Sequence, residues 1–458
     1  MTGPRLTEQL SLAFTPEDDE PSPPVQGEGA EPVVATDGPE RPVVDHSLME
    51  AICERENLKR ALRRVKANKG SPGVDGMTVD QLPDYLRTHW PRHRAGLTSG
   101  TYAPSPVKRV EIPKPGGGVR KLGVPTVLDR FIQQAVLQVL QPLFDPTFSD
   151  HSYGFRPGRS AHQAVAAAQA HLASGHCWVV DLDLEKFFDR VNHDLLMGRL
   201  AARVHDARVL KLVRAFLTAG VLEEGLVSGG EEGTPQGGPL SPLLSNVVLD
   251  ALDGELERRG HRFVRYADDF NVYVGSARAG ERVMANLTAF ITRRLKLKVN
   301  MAKSAVVPAR ALSFLGFSFT GGSRPKRRLA ASTVARFRKR VRLLTRRVRG
   351  VSLRRMVQEL SRYLLGWRAY FGYCQTPTIL RRLGKWIRRR LRAVVWKQWQ
   401  RPRTRYRELR KRGVNSKDAF LTSRGNRGPW RATLTAALCW ALPGAFFASL
   451  GLPPLERP

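Results

Sequence analysis

The chain has 458 residues, 42% of them hydrophobic, enough for two or three domains with cores of their own; no apolar run reaches membrane-span length. Its formal charge of +34 and pI near 11 point to a polyanionic partner, nucleic acid before membrane surface. Four scattered cysteines, Cys53, Cys177, Cys374 and Cys439, form no Cys-x-x-Cys pair, which argues against a zinc site or a disulfide framework and for a reducing compartment.

Residues 1–45 carry ten acids against Arg5 and Arg41, include the run Pro21-Ser22-Pro23-Pro24, and show no periodicity. They read as a disordered acidic tail, unlike a basic transit peptide or an apolar signal sequence, which favours a bacterial cytoplasm. From Ser47 a helical pattern begins, with Leu48, Ile52, Leu58, Leu62 and Val65 on roughly one face. A turn dense in breakers follows at Asn68–Gly76.

Pro113-Lys114-Pro115-Gly116-Gly117-Gly118-Val119-Arg120 reads as a basic β-hairpin whose glycines permit a tight turn. Lys114 and Arg120 come from opposite arms, either as two surface bases or as a grip for a triphosphate, Lys as a point charge and Arg as a fork. Ser152–Ser160 adds Arg156 and Arg159, which touch template phosphates or brace the fold through carboxylates.

The segment Trp178–Asp189 alternates: Trp178, Val180, Leu182 and Leu184 take one strand face, Asp181 and Asp183 the other. Strand propensity disfavours Asp, so two on one short strand call for a reason. Phe187 and Phe188 follow. A Gly-rich loop, Gly233–Gly238, with Gln236 inside it, opens an apolar helix from Leu243 to Leu256.

Arg265-Tyr266-Ala267-Asp268-Asp269-Phe270 then sets two adjacent acids between β-branched and aromatic runs, the tip of a β-hairpin. A lone Asp pair is common in solvated turns. An acidic strand facing an acidic hairpin is what two-metal phosphoryl chemistry needs, because hard Mg²⁺ takes carboxylate oxygens. Further on, Leu297–Ser304 contains Lys303, a surface lysine or a proton donor within reach of a leaving group. Gly321-Gly322-Ser323 marks a boundary. Beyond it, residues 324–431 hold 35 Lys and Arg against only Glu359, Glu408 and Asp418. Phe337, Val341, Leu344 and Val348 make an apolar stripe there, ringed by arginines that include Arg338, Arg346 and Arg347.

In consecutive order over roughly residues 46–440, these motifs resemble the group II intron-encoded reverse transcriptase/maturase family. The resemblance implies an α+β right-hand polymerase: fingers and palm with antiparallel sheet over 46–322, a helical thumb or maturase domain over 323–400, and a basic nucleic-acid-binding segment over 401–458. It implies that Asp183, Asp268, Asp269 and the Leu184 carbonyl hold two Mg²⁺ ions, and that Lys303 is a general acid. It also implies that Lys114, Arg120 and Gln236 bind the deoxynucleoside triphosphate, while Phe188, five positions after Asp183, excludes a 2′-hydroxyl. Arg156, Arg338, Arg346, Arg347, Arg388, Arg389 and Arg390 are the expected RNA contacts, and the aromatics Trp367, Trp386 and Trp399 are expected mainly in the core.

The implied function is RNA-directed DNA synthesis on an RNA template from a DNA primer or target, coupled to binding the intron RNA for splicing and retrohoming, as a cytoplasmic ribonucleoprotein without a membrane partner. No Cys/His-rich nuclease segment follows Leu452, so target cleavage is not expected. The rivals are a stand-alone retron- or defence-type reverse transcriptase and a splicing cofactor that no longer polymerises.

Overall fold

A computed structural model of the chain describes residues 47–113, 119–223, 226–228, 233 and 237–456. They fall into two compact units, one over Val44–Ala330 and one beginning at Ala331. The acidic tail, Lys114 and Gln236 lie outside the described residues, as does the side chain of Arg120.

Among the described residues the strands are β1 (Val107–Pro113), β2 (Val119–Val124), β3 (Trp178–Leu182), β4 (Val221–Glu223), β5 (Leu226–Ser228), β6 (Arg262–Tyr266), β7 (Asp269–Val274), β8 (Ala305–Pro308), β9 (Phe317–Phe319) and β10 (Arg327–Leu329). One sheet runs β2-β1-β4-β5, with β1 and β4 parallel and the other pairs antiparallel. Pro113 pairs with Val119, so the expected basic hairpin forms with its tip outside the described residues. A second sheet, β6-β7-β3-β8, is antiparallel throughout.

The second sheet follows from its residues. Val180 and Leu182 of β3, Phe263 of β6 and Phe270 and Val272 of β7 are buried in one core with Leu244, Val248 and Leu252 of the helix Ser241–Arg258. Period-two alternation turns Asp181 and Asn271, a facing pair, to the other side. The helices Ala161–Ala173 and Ala277–Arg294 pack against β6 and β3. The first starts at a capping box in which Ser160 and Gln163 bond each other's backbone.

Two details depart from the sequence pattern. The helix expected from Ser47 is two helices, Leu48–Ile52 and Arg55–Ala67, parted by extended backbone at Glu54. Asn57, buried on that stripe, donates to the carbonyls of Ile52 and Ala135 at 3.0 and 3.1 Å, tying down the break. The chain also stays with the first unit beyond Gly321–Ser323, because β10 returns to pair with β9.

The second unit is helical: Ala331–Leu344, Leu353–Phe371, Pro377–Gln398, Pro402–Lys411 and Ser416–Arg424 are its longer helices. Phe337 and Val341 are buried as the stripe requires, but Val348 is exposed, since the first helix ends at Leu344 before the stripe can continue. Ring centroids of Phe337 and Trp367 lie 4.4 Å apart, and those of Trp367 and Phe371 5.0 Å. Trp396 is buried with the Arg405 guanidinium 4.6 Å from its ring centroid. Trp440, by contrast, is exposed. No helix among the described residues is long and apolar enough to cross a membrane.

Phe337→Ala removes the ring that meets both Tyr363 and Trp367. A fully buried Phe truncated to Ala costs about 3–5 kcal/mol. Denaturant unfolding followed by circular dichroism should show a loss of that size, with the helical signal melting early; a change near zero would show that this cluster does not hold the unit together.

Candidate active site

Strand pairing brings the acids together. Tyr266 pairs with Asp269 across β6 and β7, leaving Ala267 and Asp268 as a two-residue turn. Ala267 takes φ +59°, left-handed backbone that hairpin turns of this length require and that strains a non-glycine residue. On the neighbouring strand, Leu182 pairs with Phe270, so Asp183, one residue beyond β3, comes level with Asp269.

The Asp183 segment is held from its other side. The Asp183 N–H donates to Ser304 Oγ at 3.0 Å, and the Asn300 N–H donates to the Asp183 carbonyl at 2.8 Å. The Glu185 N–H donates to the Lys298 carbonyl at 2.8 Å. Antiparallel alternation then directs the backbone groups of Leu184 away from residues 298–300. Lys303 Nζ lies 3.4 Å from Asp183 Oδ2, and both side chains keep substantial exposure.

The electrostatics are those of crowded like charge. The Asp269 carboxyl is pushed up to about 7, first by displacement of solvent and then by Asp181, Asp268 and Asp183. Asp269 keeps open surface, so the like-charge part carries weight, and that is the part a bound cation reverses. Asp181 is raised to about 6, by burial and then by Asp183. Among the described residues no three His, Cys, Asp or Glu side chains are already gathered as a metal cage. The carboxylates share one field, however, and their hard oxygens, with a backbone carbonyl, suit a divalent ion of the Mg²⁺ kind. Asp183, Asp268, Asp269 and the Leu184 carbonyl are the groups that would hold it.

Beneath the turn lies a buried network that the sequence pattern did not single out. Arg265 and Asp253 are fully buried as an ion pair. Arg265 Nε donates to Asp253 Oδ1 at 2.8 Å, Nη2 to Oδ2 at 2.5 Å, and Nη1 to Asn246 Oδ1 at 2.9 Å and the Ala267 carbonyl at 3.0 Å. Asn246 Nδ2 donates in turn to the Gly154 carbonyl at 2.9 Å. A Cβ on Gly154 would stand 2.2 Å from the Ala267 nitrogen, so only glycine lets these backbones approach. The available signal was an acid and an amide, Asp253 and Asn246, buried on the apolar helix with Leu249, Leu252 and Leu256.

Phe187 is buried while its neighbour Phe188 keeps part of its surface, with ring centroids 5.2 Å apart. Gly233 at φ +97° lies against the backbone of Phe188 and Asp189, where a Cβ would come within 3.0 Å. Arg156 is a correction to the expected RNA contacts. It is buried, paired with Asp145 at 2.9 Å, and donates to the carbonyls of Asp145, Ser149 and Ser152, so it braces the loop before the helix Ala161–Ala173. The sequence allowed both readings; burial decides between them.

In the helical unit Arg338, Arg346 and Arg347 are exposed, and Arg388 is half-buried. Arg389 donates to Thr433 Oγ1 and the Trp430 carbonyl, and Arg390 to Thr345 Oγ1 and the Arg342 and Thr345 carbonyls, which commits part of each guanidinium to the fold. Arg346, Arg347, Arg390, Lys397 and Arg405 line a cavity of about 780 Å³ with no acid in its wall.

Asp268 on a two-residue hairpin turn and Asp269 at the start of β7 thus stand beside Asp183 at the end of an inner strand of an antiparallel sheet. Residues 112–319 match the reverse transcriptase (RNA-dependent DNA polymerase) family, and residues 334–413 match the group II intron maturase-specific domain. Protein YkfC of Escherichia coli (strain K12) is 34% identical over 299 residues, covering 57% of this chain and 78% of that protein. The group II intron-encoded protein LtrA of Lactococcus lactis subsp. cremoris is 30% identical over 326 residues, 56% of this chain, which spans only about half (54%) of LtrA. A solved telomerase from Candida albicans, in complex with a fragment of telomeric RNA, aligns over 68% of this chain and 63% of its own, with a TM-score of 0.39 and 13% identity. The chain belongs to the group II intron-encoded reverse transcriptase/maturase family, and its enzyme class is RNA-directed DNA polymerase.

The raised Asp269 carboxyl has a stability consequence in metal-free protein. The folded state holds a proton there up to about pH 7 that the unfolded chain releases near 3.8, so this group's stabilisation is full below 3.8 and is lost as pH rises through 7. Asp181 acts in the same sense up to about 6. Asp269→Asn should therefore gain melting temperature relative to wild type as the pH of a chelator-treated sample rises from about 4 to about 7. A difference that stays flat across that window would show that the acids do not crowd one another.

Proposed function

We propose that the acids at the β6–β7 turn and at Asp183 carry metal-assisted DNA synthesis on an RNA template, and that the helical unit binds the group II intron RNA to assist splicing and retrohoming. The observation that carries the first half is the shared field of Asp181, Asp183, Asp268 and Asp269. Two Mg²⁺ ions, when bound, would supply activation of the primer 3′-hydroxyl and neutralisation of the departing pyrophosphate. The chain's own residues would supply a proton and position the nucleotide. Support for Lys303 as proton donor is its ion pair with Asp183 at 3.4 Å, which keeps the ammonium at the site. Support for Phe188 as the side chain that meets the sugar is its partial exposure beside a buried Phe187. Lys114, Arg120 and Gln236 remain the proposed contacts of the deoxynucleoside triphosphate.

For the second half, the support is charge without counter-charge. Residues 324–431 hold 35 cations and three acids, and Glu359 is already paired with Arg349 and Arg355, Glu408 with Arg412. Phosphates are the ligands such a surface attracts. The unit ending at Ala330 is read as fingers and palm, residues 331–400 as thumb or maturase domain and 401–458 as a further nucleic-acid-binding segment, in a cytoplasmic ribonucleoprotein.

Asp268→Asn should bring primer extension on an RNA template to background while leaving intron RNA affinity within a factor of two or so, since the basic surface is unaltered. Near-normal extension by the folded variant would refute the metal-site reading. Arg338, Arg346 and Arg347 changed together to Glu should do the opposite. Intron RNA binding should weaken, and the slope of log affinity against log salt should fall by about 0.7–0.9 for each phosphate that is no longer neutralised. Extension on a short template should persist. RNA titrations at several salt concentrations that give equal affinities and slopes would remove these arginines from the RNA site.

A further inference from the structure

We propose that Arg265 is a positioning residue of the polymerase site: through its buried pairing with Asp253 it holds the Ala267 carbonyl and so fixes the turn that carries Asp268 and Asp269. The inference rests on the reading of those two acids as metal ligands. Its geometric half stands without that reading.

The turn needs an external hold. It has two residues, one of them a non-glycine at φ +59°, and it presents adjacent acids whose mutual repulsion favours opening. The only residue type with enough donors in a fixed plane to serve several acceptors at once is arginine. Arg265 uses Nε and Nη2 on Asp253, which sets the guanidinium plane from the helix Ser241–Arg258. Nη1 is then aimed at two acceptors, Asn246 Oδ1 on that helix and the Ala267 carbonyl in the turn. Its backbone is clamped as well: the Arg265 N–H donates to the His151 carbonyl, and the Tyr153 N–H donates to the Arg265 carbonyl, both at 2.9 Å. The strand that enters the turn is therefore referred to a helix and to residues 151–154, neither of which carries a proposed metal ligand. A side chain that served only to fill the core would need the ion pair with Asp253 and nothing at the Ala267 carbonyl.

That difference sets the test. The double variant Arg265→Met/Asp253→Leu removes both buried charges at similar volume, a change that well-packed proteins tolerate or gain from. Arg265→Lys keeps a cation for Asp253 but has no planar fork to reach the Ala267 carbonyl as well. Three measurements are made on the full chain: amide hydrogen exchange of residues 266–270 in chelator, Mg²⁺ binding by calorimetry, and the kcat and KM of primer extension. Melting temperature and intron RNA affinity report the fold. Both variants should keep the fold controls, while the turn exchanges faster in the absence of any metal. Mg²⁺ affinity should fall roughly 10- to 100-fold, as when supporting partners of metal ligands are removed. The loss in extension should lie in kcat and be relieved by raised Mg²⁺, with KM for the triphosphate little changed.

If the double variant does not fold, Arg265→Lys decides alone. Wild-type exchange at the turn together with wild-type Mg²⁺ affinity, in either folded variant, overturns the proposal. Faster exchange with no Mg²⁺ binding even in wild type would instead retain Arg265 as the holder of the turn and refute the metal-site reading.

Discussion

One buried ion pair ties together the parts of this protein that matter for its chemistry. Arg265 and Asp253 are both fully removed from solvent, and neither could stand there alone, since a buried charge stripped of its partner costs about 3–5 kcal/mol. Burial pushes the Asp253 carboxyl up, while the charge and hydrogen bonds of Arg265 pull in the opposite sense. Twelve positions apart in sequence, the two residues lock a helix to the strand that leads into the acidic turn. Asn246 and Gly154 extend the same network to the loop before the helix Ala161–Ala173. The one guanidinium thus joins the helix, the strand and the turn in a single network.

The two units solve opposite electrostatic problems. In the first, four acids gather at the ends of the two inner strands of a sheet, where burial first and one another's charge second raise Asp269 and Asp181. In the second, arginines crowd with few acids, and some of the charge is met by rings and carbonyls, as with Arg389 over Trp430 and Arg405 over Trp396. Some of these arginines are therefore architecture. Others, Arg338, Arg346 and Arg347 among them, are left on the surface.

Much of this was legible from residue order alone. Alternation around Asp181 and Asp183 and the breakers flanking the hairpin predict the strand and the turn, because period and local propensity act over a few residues. The polymerase palm was implied by the resemblance of the ordered motifs from Lys114 to Lys303 to a known family. The apolar stripe of Phe337 and Val341 and the core position of Trp367 were equally local. Val348 was misjudged since nothing in the stripe tells where the helix ends, which is settled at Leu344 by the turn that follows.

Other features depended on distance in space. Arg156 has the same chemistry as any phosphate-binding arginine; only its burial against Asp145 and three carbonyls makes it a brace. Arg265 directly precedes the site in sequence, yet its role depends on Asp253 and Asn246, which arrive from another helix. Phe187 and Phe188 are identical side chains, and which one is core is fixed by what packs above them. By itself the sequence determined where most strands, helices and turns lie, though not where each helix breaks or ends, and which chemistry is present, for those depend on near neighbours. Only the tertiary structure decided which charges are paired, which are buried and which face outward, because an ion pair's energy depends on dielectric and distance, and both are set by residues far away along the chain.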